Sequence, residues 1–278
     1  MRERLIQPST EPPMKKMCAL LLAAALPAAV LPATATAAAA SAAAASAAAE
    51  IEPLTLEPNS KLLCNAQTDW CVGVDKNGPF VSSRTFRKDR HLWDLPDVPN
   101  DFSKFKVWPQ IIRTSEERAI VGVIGTEETP YSGGGFTRKD LYLFEVRLDG
   151  QLEGSNSIFE LPVEAEGSYR ACFNEQDEKK RAGHCSDQSL YKADVKVVPG
   201  DKPYPDLQVT TQASRFPVGS SRSKDSTTRP ALTPDQLKHE ADKTCSYTVT
   251  YRWKADTATY EADKTLPDCA EFTDAEPR

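Results

Sequence analysis

Tyr191, Ala193, Val195 and Val197 alternate with Lys192, Asp194 and Lys196. Few patterns constrain a fold as tightly. A helix would scatter these apolar side chains around its surface, whereas a strand gathers them on one face. The same period of two sets Tyr142, Phe144, Val146 and Leu148 against Glu145 and Arg147, and Tyr247, Val249, Tyr251 and Trp253 against Ser246, Thr248, Thr250 and Arg252. Shorter β-like stretches occur at 62–64, 70–74, 80–81, 105–112, 119–125, 155–161, 167–173 and 206–211. Pro109 interrupts one of them and predicts an edge or a bulge there. Turn chemistry lies between, as in Asp75-Lys76-Asn77-Gly78-Pro79, Asp149-Gly150 and Pro199-Gly200. One short helix is announced near 233–242, with Thr233 as cap, Pro234 at the first position and Gln236 at the third. The expected fold is all-β, an antiparallel sandwich or open barrel with that one helix. The segments 119–125 and 141–148 are its hydrophobic centre, and 126–140 reads as a polar, glycine-rich connection between them.

The first residues read differently. Met14-Lys15-Lys16-Met17 precedes an uncharged run, Cys18–Leu31, which ends in small-x-small sites at Ala33-Thr34-Ala35 and Ala35-Thr36-Ala37. These are the parts of a secretory signal peptide, so 1–37 is assigned to one that starts at Met14. Retention of this run as an anchor is the alternative, because Ala37–Ala49 also lacks charge. Residues 38–58 read as an Ala-rich tether without an amphipathic pattern, and 59–278 as a single disulfide-bonded β domain. Of the 34 basic and 40 acidic residues, four basic and two acidic ones lie in 1–49. The remainder carries 30 against 38, a balance of −8. Such a surface repels phosphate backbones and anionic lipid, so no nucleic-acid partner is expected.

Besides Cys18 there are six cysteines: Cys64, Cys71, Cys172, Cys185, Cys245 and Cys269. An even number in an exported chain argues for disulfides, and six allow 15 connectivities. Their order falls into the local pairs 64–71, 172–185 and 245–269, which is the expected pairing. No two are close enough for a zinc or thioredoxin-like site. Neither metal nor cofactor is expected.

Chemistry is sparse. Ser221-Arg222-Ser223-Lys224 matches Ser-x-x-Lys, but its surroundings (214–230, rich in Ser, Arg and Thr) read as mobile and not helical. His91, His184 and His239 lie in unrelated contexts, and no Gly-x-Ser-x-Gly elbow marks a nucleophile. No catalytic residue is assigned, although two carboxylates placed as in a glycosidase can be neither located nor excluded among so many acids. The best binding candidate is the connection after Thr129, where Tyr131, Ser132, Phe136 and Arg138 accompany three glycines that let a ligand approach the backbone. The aromatic row Tyr247, Tyr251 and Trp253 reads as core in preference to a sugar platform.

At Trp70-Cys71, at Arg170-Ala171-Cys172-Phe173 with Cys185, and at Cys245-Ser246-Tyr247 with Leu266-Pro267-Asp268-Cys269, the chain is similar to uncharacterised exported proteins of Gram-negative bacteria. That resemblance implies a periplasmic or secreted location and no particular activity. The expected function is a non-catalytic β-rich envelope protein that binds a protein or a glycan, with no transmembrane domain after signal cleavage. An envelope hydrolase using a carboxylate pair, or an accessory subunit with an exposed strand edge, are the alternatives.

Overall fold

The alternation around residue 120 and residue 144 becomes two long strands, β8 (Arg118–Tyr131) and β9 (Gly134–Arg147), paired antiparallel without a register shift. The computed structural model describes residues 48–58, 60–67, 69–76, 78–83, 90–91, 104–147 and 157–275, all in one compact unit that begins at Ala44. The signal segment, the tether up to residue 47, the Asp149-Gly150 turn and most of 84–104 lie outside the described residues. Ahead of the central pair run β1 (Glu50–Pro53), β2 (Thr55–Leu56), β3 (Leu63–Cys64), β4 (Trp70–Asp75), β5 (Gly78–Ser83), β6 (Arg90–His91) and β7 (Phe105–Arg113). After it come β10 (Phe159–Arg170), β11 (Ser186–Val198), β12 (Asp206–Phe216), β13 (Glu240–Asp242), β14 (Thr248–Lys254) and β15 (Thr259–Ala262), with helices α1 (Glu175–Lys180) and α2 (Ala270–Thr273).

The strands form two open antiparallel sheets. The larger runs β1-β7-β8-β9-β10-β11-β12-β14-β15, with β13 also on β12, and the smaller runs β2-β3-β4-β5-β6. No barrel closes among the described residues, although Tyr260 N–H reaches back to Ile158 O (2.9 Å).

Two apolar cores explain this arrangement. Trp70, Val72 and Val81 of the small sheet pack on Val121, Val123, Phe144 and Val146. The opposite faces of β8 and β9 give Ile120, Leu141 and Leu143 to a second core with Phe159, Tyr191, Leu207, Val209, Val249, Tyr251 and Tyr260. Pro109 sits where the β7–β8 register shifts, between Val107 and Ile111, as a proline in a paired strand requires. All three cysteine pairs have disulfide geometry, 64–71, 172–185 and 245–269.

Several expectations need correction. Residues 126–140 are not a connection, because the two strands continue through them to a turn at Ser132–Gly133. Glu145 does not face solvent. It is buried on the face it shares with Ile120, and accepts hydrogen bonds from Tyr204 Oη (2.6 Å) and Thr114 Oγ1 (3.5 Å). Glu50–Pro53 and Thr55–Leu56, assigned to the tether, are strands that pair with β7 and β3. The helix near 233–242 is a single 3-10 turn, Pro234–Gln236. Gln236 Oε1 accepts the Thr233 N–H (2.9 Å) as a capping box should, but the turn buries no side chain. Residues 240–242 instead pair with Ala213–Arg215, where Asp242 meets Arg215 (2.5 Å). Within 214–230, β12 runs on to Phe216, and a 3-10 turn spans Ser226–Thr228.

Candidate functional site

The four residues singled out by sequence end at one edge of the molecule, in different environments. Ser132 is exposed at the turn. Tyr131 is half-buried and stacks on Tyr169 of β10 (centroids 5.8 Å apart, planes at 18°). Phe136 is not at the surface but buried at 3 % exposure. Arg138 is engaged rather than free: its Nε donates to Asp140 (2.9 Å) and its Nη1 to Thr273 O (3.2 Å).

The glycines serve packing here. Gly133 has φ +90°, in the left-handed region, and a Cβ on Gly134 would lie 1.8 Å from Ser168 O. They let β10 close on the hairpin, so their presence is not a sign of ligand approach.

Sequence reasoning missed three residues that complete this edge. The Arg222 guanidinium lies over the rings of both Phe136 (5.0 Å) and Tyr169 (4.9 Å), and Tyr169 stacks in turn on Tyr131. Arg170 packs under the turn, where a Cβ on Gly133 would touch its Cβ at 2.7 Å, and its guanidinium covers the Phe173 ring at 5.1 Å. Arg170 Nε also donates to Cys172 O (2.7 Å). Phe173 itself is 63 % exposed. It follows the first cysteine of the 172–185 disulfide, whose loop holds α1, and a buried ion pair between Arg181 and Asp187 packs that loop down.

Two arrangements of carboxylates bear on hydrolysis. Asp140 is buried, and burial raises its carboxyl above the usual range against the pull of Arg138. Glu160, across the strand pair from Tyr142, is raised by burial and by Asp140. Both Asp140 oxygens, however, receive Arg138 Nε at 2.9 Å. The other arrangement lines an open groove of about 700 Å³ across β10 to β13, where Glu164, Glu166, Lys192, Gln212 and Ser214 come from alternate positions. Its two glutamates are exposed, and Lys139 holds Glu164 at 2.6 Å. Asp140 is thus committed to Arg138, and the groove glutamates stand in water, so neither arrangement shows a shielded acid left free to donate a proton.

His184 and His239 are exposed and flank the Phe216 ring (5.7 and 5.2 Å). The His91 side chain lies outside the described residues. Tyr251 is core, as expected, while Tyr247 and Trp253 pack partly buried against it. No group of three or more metal-ligating side chains converges among the described residues, and no helix there is long and apolar enough to cross a membrane. The three cystines point to an oxidising compartment. Compared with protein-family models, with curated proteins and with solved structures, the chain matches none.

Proposed function

We propose that this chain is an exported, non-catalytic protein of the bacterial cell envelope, and that it binds a partner protein through the edge formed by Ser132, Tyr131, Arg170 and Phe173. The signal-like leader and the cystines support export. The observation that carries the binding reading is Phe173. This ring is 63 % exposed, lies under the Arg170 guanidinium and follows a disulfide cysteine, so it is presented to solvent at a fixed place. Aromatic residues and arginine are enriched at protein interfaces.

The test is capture from envelope extract with the mature chain and with Phe173→Ala, which leaves the core untouched. The variant is expected to lose the captured partner while keeping its fold. Equal capture by both forms would overturn the assignment, and turnover of an envelope substrate that a single carboxylate change abolishes would overturn the non-catalytic reading.

The open groove favours a second reading. Hydrogen-bonding side chains spaced along three strands suit an extended glycan. Glycan retention lost in Glu166→Ala but kept in Phe173→Ala would move the function there.

A further inference from the structure

Arg222 joins the C-terminal turn to the distal strands. Its Nη1 donates to Glu271 O (3.2 Å) and to Asp274 O, and its Nη2 donates to Ala275 O. Its guanidinium covers Phe136 of β9 and Tyr169 of β10. These contacts use the two terminal nitrogens and the faces of the group. The remaining donor, Nε–H, is buried and meets no acceptor among the described residues. Ser220 Oγ, in a residue 2 % exposed, is likewise buried without a protein partner there.

Both residues line one cavity of about 10 Å³, together with Tyr169, Ser189 and Glu271, among others. Tyr169 Oη and Ser189 Oγ hydrogen-bond each other and so do not depend on the cavity. Asp187 is spent on Arg181 and on Ser226 Oγ. The Glu271 carboxylate accepts the Arg222 backbone N–H (3.1 Å) and lies 3.8 Å from Arg215 Nη2, which leaves it lone pairs to spare. It touches neither Arg222 Nε nor Ser220 Oγ directly. Buried polar groups are normally satisfied by protein or by ordered water, and groups that share a cavity without touching are bridged. The volume is about that of one water, too small for a side chain or a polyatomic anion.

We propose that this cavity is a binding site for a single water molecule, which accepts from Arg222 Nε–H, shares a hydrogen bond with Ser220 Oγ and donates to the Glu271 carboxylate. Three partners are what a buried water commonly has. The water completes the donor set that fixes Arg222 over Phe136 and Tyr169, and it links Ser220 to the C-terminal turn through groups that do not meet. This site is separate from the Phe173 edge and does not depend on it.

The test uses the full chain in solution. In NMR spectra of the unaltered protein, Arg222 Nε–H should show cross-relaxation to a water that tumbles with the protein. No such contact means a dry cavity and overturns the proposal, whatever the variant does. Oxygen-17 relaxation dispersion should count this water among the long-lived ones. Ser220→Ala removes one of its hydrogen bonds and should shorten its residence roughly fivefold. An unchanged residence in that variant removes Ser220 from the site and overturns the assignment. Sodium bromide is the probe for the competing occupant: a saturable shift of the Arg222 Nε–H resonance with bromide would identify a monatomic anion and reject the water.

Discussion

Along β8 and β9 one unbroken register runs from Arg118↔Arg147 to Tyr131↔Gly134, but the two halves of this hairpin differ in chemistry. In the proximal half Ala119, Ile120, Val121, Val123, Leu141, Leu143, Phe144 and Val146 are each 2 % exposed or less, because both faces are covered, one by the small sheet and one by the curled remainder of the large sheet. In the distal half Glu127, Glu128, Ser132 and Gly134 are open to solvent, and the covered residues, Phe136 and Asp140, lie against arginines. Backbone pairing is the same in both. The comparison separates two roles: the apolar half fixes the fold, and the polar half, held in place by it, is free to carry recognition. Glu145 marks how demanding the apolar half is, since a carboxylate there needs Tyr204 and Thr114 as partners.

The comparison breaks most severely if Phe144 is truncated. Phe144→Ala leaves a hole between the sheets and is expected to cost about 3–5 kcal/mol in urea unfolding. A proximal half that tolerated this change would not be the core of the fold. In the distal half the largest effect should come from backbone approach. Gly134→Ala drives a methyl into Ser168 O and should cost about 2–3 kcal/mol, with faster hydrogen exchange in β10. Gly135 has its nearest neighbour 3.7 Å from an added Cβ, so Gly135→Ala should be neutral or stabilise by up to about 1 kcal/mol. Opposite outcomes at adjacent glycines would show that spacing to β10, and not flexibility, selected them.

The same contrast explains what could be read from the sequence. Alternation was enough for the centres of the long strands but not for their extent, since 126–140 read as a connection and 155–161 and 167–173 as two strands where β10 is one; cysteines close in sequence were enough for their pairing, a local signal. α1 also had one that was passed over: Asn174 caps it through Gln176 N and Asp177 N (both 2.9 Å), with acids in the first turn and Lys179 and Lys180 in the last. The Thr233 signal was equally local, yet it yielded one turn, because no apolar face follows to be buried. The β-like stretch 167–173 includes Phe173, but β10 ends at Arg170 and leaves it outside. Arg222 had no local signal. Its partners lie 49 to 53 residues further on, and its rings come from β9 and β10. Phe136 and Arg138 were found for a wrong reason, as parts of a flexible loop, when a strand and the distant C-terminal segment place them.

Alkaline pH tests the larger core without any substitution. Burial pushes the Tyr251 hydroxyl up from 10.0 to about 12, and Tyr191 and Tyr260 are raised in the same direction by the same cause. Above pH 10 the unfolded chain loses phenol protons that the folded chain keeps. Stability is then intact below the unfolded value and falls as pH rises toward the folded one. Each such tyrosine should remove up to about 1.4 kcal/mol per pH unit in that window. Unfolding followed together with phenolate absorbance checks this, and a flat stability up to the folded value would place these rings in contact with water.

The smallest effect should appear next to a buried charge. Arg138 and Lys139 are neighbours on β9, and alternation turns them to opposite faces. Arg138 is bound to buried Asp140 and to the C-terminal segment, whereas Lys139 meets Glu164 at 2.6 Å with side chains 33 % and 49 % exposed. An ion pair that open is screened by solvent and salt and pays side-chain entropy to form. Lys139→Ala should therefore change stability by no more than about 1 kcal/mol, and 1 M salt should erase the difference from the unaltered chain. A larger or salt-resistant loss would mean that the β10 face around Glu164 is shielded from water. The distal half would then be core on that side as well, and the division drawn along the hairpin would shift to the turn itself.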